Sequence, residues 1–198
     1  MKALIIWVAL IIVAFFNLSA VGQEGRWPKV KITKSQQINS DLIPWVEKIN
    51  GLDRKYFAGK TLFIPKDIET VKNYSPLPTF DSSLAKHDSV VVVFLGHSLI
   101  GVYEHGRLVF WSPITRGKKI TYTQTGECFV RSKVRLMYSK KYGNVPMPYS
   151  LHLFGNVCIH QGPMVGRGAS HGCIRLFKRD AQWLYAWARK GTKVIIKI

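Results

Sequence analysis

Apolar positions change rhythm three times along the chain. From Ala3 to Phe16 they are almost unbroken, after one charge at Lys2 and before the small residues Ala20 and Gly22. That order is the order of an export signal cleaved before Gln23, cleavage after Ala20 being the other candidate. The run is shorter than the roughly 20 residues a spanning helix needs, so an uncleaved anchor is the lesser reading. No cysteine follows it, which argues against a lipid-modified N-terminus. In the second stretch, residues 41–51 read as a helix: Asp41 or Ser40 caps it, Pro44 sits in its first turn and Asn50-Gly51 ends it. Residues 58–65 then read as a turn and a short strand stopped by Pro65.

The third rhythm begins at Ser89. Residues 89–95 form a β-branched run too short for a preferred helix, and 98–104 and 107–112 flank a tight hairpin at Glu104-His105-Gly106. Further strands are expected over 127–130, 134–138, 150–154 and 156–160, and a last one over 192–198. Between them, residues 179–190 are helical, with Ala181, Leu184, Trp187 and Ala188 on an apolar face and Gly191 as the stop. The expected fold is mainly β with one or two helices, preceded by a small α+β module. The expected layout is an export signal over 1–22, the module over 26–68, a polar, proline-bearing linker over 69–88 and a mainly β domain over 89–198.

Composition refines this picture in one respect. An apolar fraction of 47 % fits a globular chain, while 29 Lys and Arg against 11 Asp and Glu give +18. Such a charge suits nucleic acid, anionic membrane or anionic wall polymers, and bears on partners rather than fold. An exported protein rarely meets nucleic acid, so an envelope polymer is the expected partner.

Chemistry concentrates in residues 159–176, where four glycines and a proline interrupt the strand rhythm around His160, His171, Cys173, Arg167 and Arg175. A cysteine needs a lowered pKa to be nucleophilic at neutral pH, and a nearby histidine supplies it. His160, at a strand end, is placed to fold back on Cys173. His171, two residues from the thiol, is the weaker candidate base because so close a neighbour points away in most backbone conformations. Gly172 permits backbone angles in which the N–H groups of His171, Gly172 and Cys173 converge as an oxyanion hole. His160, His171 and Cys173 could also serve a metal-dependent hydrolase, but no Cys-x-x-Cys or His-Glu-x-x-His spacing is present, so that is the lesser reading and no metal or cofactor is expected. Cys128 and Cys158 are either a disulfide or two buried free thiols.

Ser170-His171-Gly172-Cys173-Ile174-Arg175-Leu176, preceded by Ile159-His160, resembles the signature of the L,D-transpeptidase catalytic domain of bacterial cell-wall enzymes. Tyr103-Glu104-x-Gly106-x-Leu108, Thr123-x-Thr125-Gly126, Pro146-Met147-Pro148-Tyr149 and Asp180-Ala181-x-Trp183-Leu184-Tyr185 agree in order. Two departures stand out: Gln124 replaces the family's usual proline, and the loop between His160 and Ser170 is short. The resemblance implies a β-rich fold and a cysteine acyltransferase that cuts a tetrapeptide stem before its terminal D-Ala and passes the thioester to an amine. It makes Cys173 the nucleophile and His160 its base. His171 and Gly172 would shape the catalytic site. Ser170 would steady the loop and Tyr149 belong to the substrate-binding set. Arg175 would hold a substrate carboxylate or support the fold. The implied partners are peptidoglycan stem peptides, an envelope protein as a further acceptor, and carbapenems as covalent inhibitors. Hydrolysis by the same site and non-catalytic wall binding are the competing functions. The end of the N-terminal module, Asn50…Gly59-x-x-Leu62-x-Ile64-Pro65, more weakly resembles a lysin motif.

Overall fold

A computed structural model describes residues 26–33 and 38–198; the expected export signal lies outside them. Its elements, in chain order, are β1 (Lys29–Lys31), α1 (Ile43–Asn50), β2 (Thr61–Phe63), α2 (Glu69–Lys72), β3 (Val90–Phe94), β4 (Leu99–Glu104), β5 (Arg107–Pro113), β6 (Gly126–Phe129), β7 (Ser132–Ser139), β8 (Val145–Phe154), β9 (Val157–Gln161), β10 (Ile174–Leu176), α3 (Lys178–Trp187) and β11 (Lys193–Lys197).

The small N-terminal unit pairs β1 with β2 in antiparallel fashion and lays α1 across them. Pro44 stands in the first turn of α1, and Gly51 ends the helix with φ 62°, a left-handed angle that suits a residue without Cβ. The Asn50 side chain ties the helix to β2, donating to the Phe63 carbonyl at 2.9 Å and accepting the Phe63 N–H at 2.9 Å. Ile32, Leu42, Val46, Leu52, Phe57 and Leu62 fill its core.

Residues 69–88 are not the free linker expected from their prolines. Val71, Tyr74, Leu77 and Leu84 are buried against Val90, Val92, Phe94, Tyr103 and Trp111, together with Trp27 and Ile49 from the N-terminal unit. The Trp111 indole donates to the Tyr74 carbonyl at 3.1 Å, and Trp27 meets Tyr74 edge-on. Apolar residues spaced among serines and prolines packed this segment down.

The β domain has two sheets. One runs β5-β4-β3-β11-β6, the other β10-β9-β8-β7. All neighbours are antiparallel except β3 with β11 and β9 with β10. Strand β3 is buried at every position because both its faces are covered. Val91 and Val93 face the inter-sheet core with Ile100, Leu151, Leu153, Ile159, Ile174, Leu176, Leu184 and Val194, whereas Val90, Val92 and Phe94 face the N-terminal side. The hairpin between β4 and β5 turns at His105 and Gly106, both at positive φ, and a Cβ at Gly106 would lie 2.6 Å from the Asp81 carbonyl oxygen.

Candidate active site

Side-chain alternation along β9 and β10 builds the site. Ile159, Ile174 and Leu176 point into the inter-sheet core. Cys158 and His160 therefore leave β9 on the opposite face, and Arg175 leaves β10 on that face as well. The strands are parallel, with Ile174 beside Ile159 and Arg175 beside His160. Cys173, one residue before β10, thus stands beside Cys158 and diagonal to His160.

The expected pair is assembled. His160 is 5 % exposed, and its Nδ1 lies 2.6 Å from the Gln161 carbonyl oxygen. A carbonyl only accepts, so that nitrogen carries the proton and the other ring nitrogen holds the basic lone pair. Cys173 is half-buried, and in its protonated form the thiol donates to the Asn156 carbonyl at 3.4 Å. A hydrogen bond from the Cys158 thiol draws the Cys173 pKa well below the ordinary thiol range. His160 and the Cys158 backbone add to this against the opposing effect of burial. Cys158 shifts the other way, upward, by that same thiol contact and by its own burial. Of the two thiols, Cys173 is thus the one on which negative charge is favoured. All three cysteines are free, Cys128 lying apart on β6 opposite Val194.

Ser170 is fully buried and does brace the loop. Its hydroxyl donates to the Cys173 carbonyl and accepts the Gly172 N–H at 3.1 Å. The Gly172 N–H is therefore spent within the loop. This corrects its expected place among the oxyanion donors, which leaves the amides of His171 and Cys173 for that task. What the position requires is its φ of 116°, which only glycine adopts readily.

The other expected residues divide. The exposed His171 ring stacks on Tyr142 with centroids 4.4 Å apart, at the rim of the site and away from the base position. Arg175 passes over Gly162, where a Cβ would sit 2.8 Å from its Cδ, and its guanidinium feels the Cys173 charge. No carboxylate pairs with it among the described residues, so the fold-supporting ion pair is not formed. Tyr149 is not brought to the thiol. Its hydroxyl accepts from Gln182 at 2.8 Å and its ring meets Tyr185 edge-on, both on α3, and it packs on the inter-sheet core. A φ of 56° at Tyr149 interrupts the alternation of β8 and swings the ring to that side.

One brace comes from Thr123, which the sequence showed only as part of the Thr123-x-Thr125-Gly126 motif and without a role. Thr123 is fully buried, accepts the Gly117 N–H at 3.0 Å and donates to the Gly172 carbonyl at 3.0 Å. With Thr121 donating to the Ser170 carbonyl at 3.1 Å, and Ser170 bridged to Gly117, residues 115–123 lash down the loop that carries Cys173. From the other side, the Asp53 carboxylate accepts the Met164 N–H at 2.7 Å while the Asp53 N–H donates to the Met164 carbonyl at 2.8 Å.

This geometry coincides with a family match. The L,D-transpeptidase catalytic domain model named YkuD matches residues 88–196, more than half of the chain. The chain belongs to that family.

Among L,D-transpeptidase relatives, a YkuD protein of Bacillus licheniformis is 31 % identical over 106 residues, which span 54 % of this chain and 64 % of that one. A crystal structure of an L,D-transpeptidase from Stackebrandtia nassauensis superposes with a TM-score of 0.54 at 27 % identity, covering 57 % of each chain. L,D-transpeptidase 3 of Mycobacterium tuberculosis, solved with a faropenem-derived adduct, shares the fold at a TM-score of 0.51 and 22 % identity, over 56 % of this chain and 60 % of that one. The β-rich fold expected from the strand rhythm is the L,D-transpeptidase fold. The family match stops short of residues 26–68, so the lysin-motif resemblance of that unit gains nothing from it.

Proposed function

We propose that this L,D-transpeptidase-family chain is a peptidoglycan transpeptidase working through a thioester on Cys173. The observation that carries the reading is the Cys173 thiol held against the His160 imidazole across the parallel β9–β10 pair. The Cys173 thiolate attacks the carbonyl carbon of the bond before the terminal D-Ala of a tetrapeptide stem. His160 takes the thiol proton at its free ring nitrogen, the ring being oriented through Nδ1–H by the Gln161 carbonyl. Amides of His171 and Cys173 receive the developing oxyanion, and each such donor is worth about 2.7–4 kcal/mol of transition-state stabilisation. Collapse expels D-Ala, whose amine takes the proton from His160. An acceptor amine then attacks the thioester, His160 takes its proton, and Cys173 leaves as thiolate.

Arg175, half-buried, unpaired with any described carboxylate and on the same face, is suited to a substrate carboxylate. An amine acceptor gives a cross-link or an attached envelope protein; water in its place gives a carboxypeptidase or cross-link endopeptidase. The positive charge of the chain suits residence against an anionic wall polymer, in the periplasm or cell wall, after removal of residues 1–22. Carbapenems are expected to acylate Cys173, in keeping with the faropenem-derived adduct of the mycobacterial neighbour.

Incubation with disaccharide tetrapeptide, followed by intact-protein and product mass spectrometry, tests the reading. A mass gain on Cys173 matching the tripeptide acyl group, with cross-linked dimer in solution, is the expected result. An unshifted mass, or the same shift in Cys173→Ser, overturns it, while free tripeptide without dimer identifies water as the acceptor.

A further inference from the structure

Cys158 is a buried thiol that the acyl-transfer chemistry does not consume. It is 2 % exposed, yet it belongs to none of the apolar clusters, because it leaves β9 on the face opposite Ile159. An ordinary buried cysteine acts as a small apolar filler. This one instead stands one position before Ile159 in β9, next to Cys173, which immediately precedes Ile174, the partner of Ile159. Neighbouring strands lie about 4.8 Å apart, within the roughly 4.4–6.8 Å between Cα atoms that a disulfide spans. Both side chains project from the same face of the β9–β10 ribbon, so closing the bond needs rotamer changes rather than a backbone shift.

We propose that Cys158 is a resolving thiol which forms a reversible disulfide with Cys173 and switches the site off under disulfide stress. The co-reactant is a low-molecular-weight or protein disulfide. Cys173 thiolate attacks one sulfur of that disulfide, forming a mixed disulfide, and the expelled thiolate takes from His160 the proton that Cys173 had given it, which frees the imidazole. Cys158 gives its proton to His160 and attacks the Cys173 sulfur from beneath. The mixed bond breaks, the Cys158–Cys173 bond forms, and the second thiolate leaves with the proton from His160. Two protein thiols are oxidised and one external disulfide is reduced to two thiols.

The direction of access fits this order of events. Cys173 is half-buried and reachable, whereas Cys158 lies below it and meets only what is already attached to Cys173. Interactions that favour a thiolate also stabilise the reduced pair, which makes its disulfide easily reduced rather than structural. The pairing stands on the strand register and does not require the transpeptidase reading to hold.

The test treats the reduced full chain with oxidised glutathione, traps free thiols by alkylation and maps peptides without reduction. Wild-type protein is expected to lose two hydrogens, to carry one link joining the peptides of Cys158 and Cys173, and to regain carbapenem acylation after a thiol reductant. Cys158→Ser is expected to retain glutathione on Cys173 instead. Lasting glutathione on wild-type Cys173 with Cys158 still free, or a link through Cys128, overturns the proposal. The wild-type map requires no variant to fold. Should the link form in a protein that never acylates from tetrapeptide, the transpeptidase reading falls and the thiol pair stands.

Discussion

The Cys173 thiol is lowered in pKa by neighbours whose contributions can be separated at the level of single residues. With its pKa drawn down, Cys173 remains thiolate through neutral pH and is protonated only as the pH falls through that lowered value. Cys128 and Cys158 are shifted upward, both with burial among the causes. Iodoacetamide at mildly acidic pH should therefore label Cys173 alone, at a rate changing little toward neutrality. An ordinary thiol loses about tenfold in rate per pH unit below its pKa near ~8.5. His160→Ala should move the Cys173 profile toward ordinary thiol behaviour, as initial alkylation rates across pH would show. Gly172→Val forces a β-branched residue to a φ of 116° and should all but abolish acylation by carbapenem, read by intact mass. Thr123→Val leaves the Gly117 N–H and the Gly172 carbonyl without partners and should cost roughly 1–3 kcal/mol in denaturant unfolding. Cys173 and His160 were legible as a pair because their motif is local in sequence. The packing of Tyr149 on α3 and the place of Cys158 beside Cys173 were not legible, because strand register and the positive φ at Tyr149 decide which face each side chain meets.

At the level of elements, the N-terminal unit does more than sit beside the β domain. Leu52 bridges Val165, and Asp53 exchanges two hydrogen bonds with Met164, within the loop that joins His160 to Cys173. Arg179 of α3 adds a hydrogen bond to the Pro44 carbonyl at 2.7 Å and an ion pair to Glu47 at 3.4 Å. Lys48 lies 4.4 Å from the Trp111 ring centroid, and burial lowers its pKa in spite of Asp180. Asp53→Ala should free residues 161–169, seen as faster amide exchange there, and slow carbapenem acylation several-fold while thermal unfolding of the rest changes little. The helix over 41–51 and most strands were readable from capping residues and alternation. Residues 69–88 were not, because serines and prolines concealed the apolar positions that only the β3–β5 face reveals.

The molecule as a whole follows from covering the five-stranded sheet on both sides. A fragment limited to residues 89–198 would expose Val90, Val92, Phe94, Tyr103 and Trp111 as one apolar face. It should aggregate or elute as large species on size-exclusion chromatography, whereas residues 23–198 should remain monodisperse. The β domain was legible from the sequence as a rhythm of strands, but its dependence on the preceding residues was not.

One further consequence concerns timing. β11 is inserted between β3 and β6, so an interior strand of that sheet is supplied by the last of the described strands. Until residue 197 is available, β3 has a bare edge and the inter-sheet core lacks Val194 and Ile196. Closure of the two-sheet core consequently waits on residues 193–197, so a chain truncated before Lys193 should fail to show cooperative unfolding.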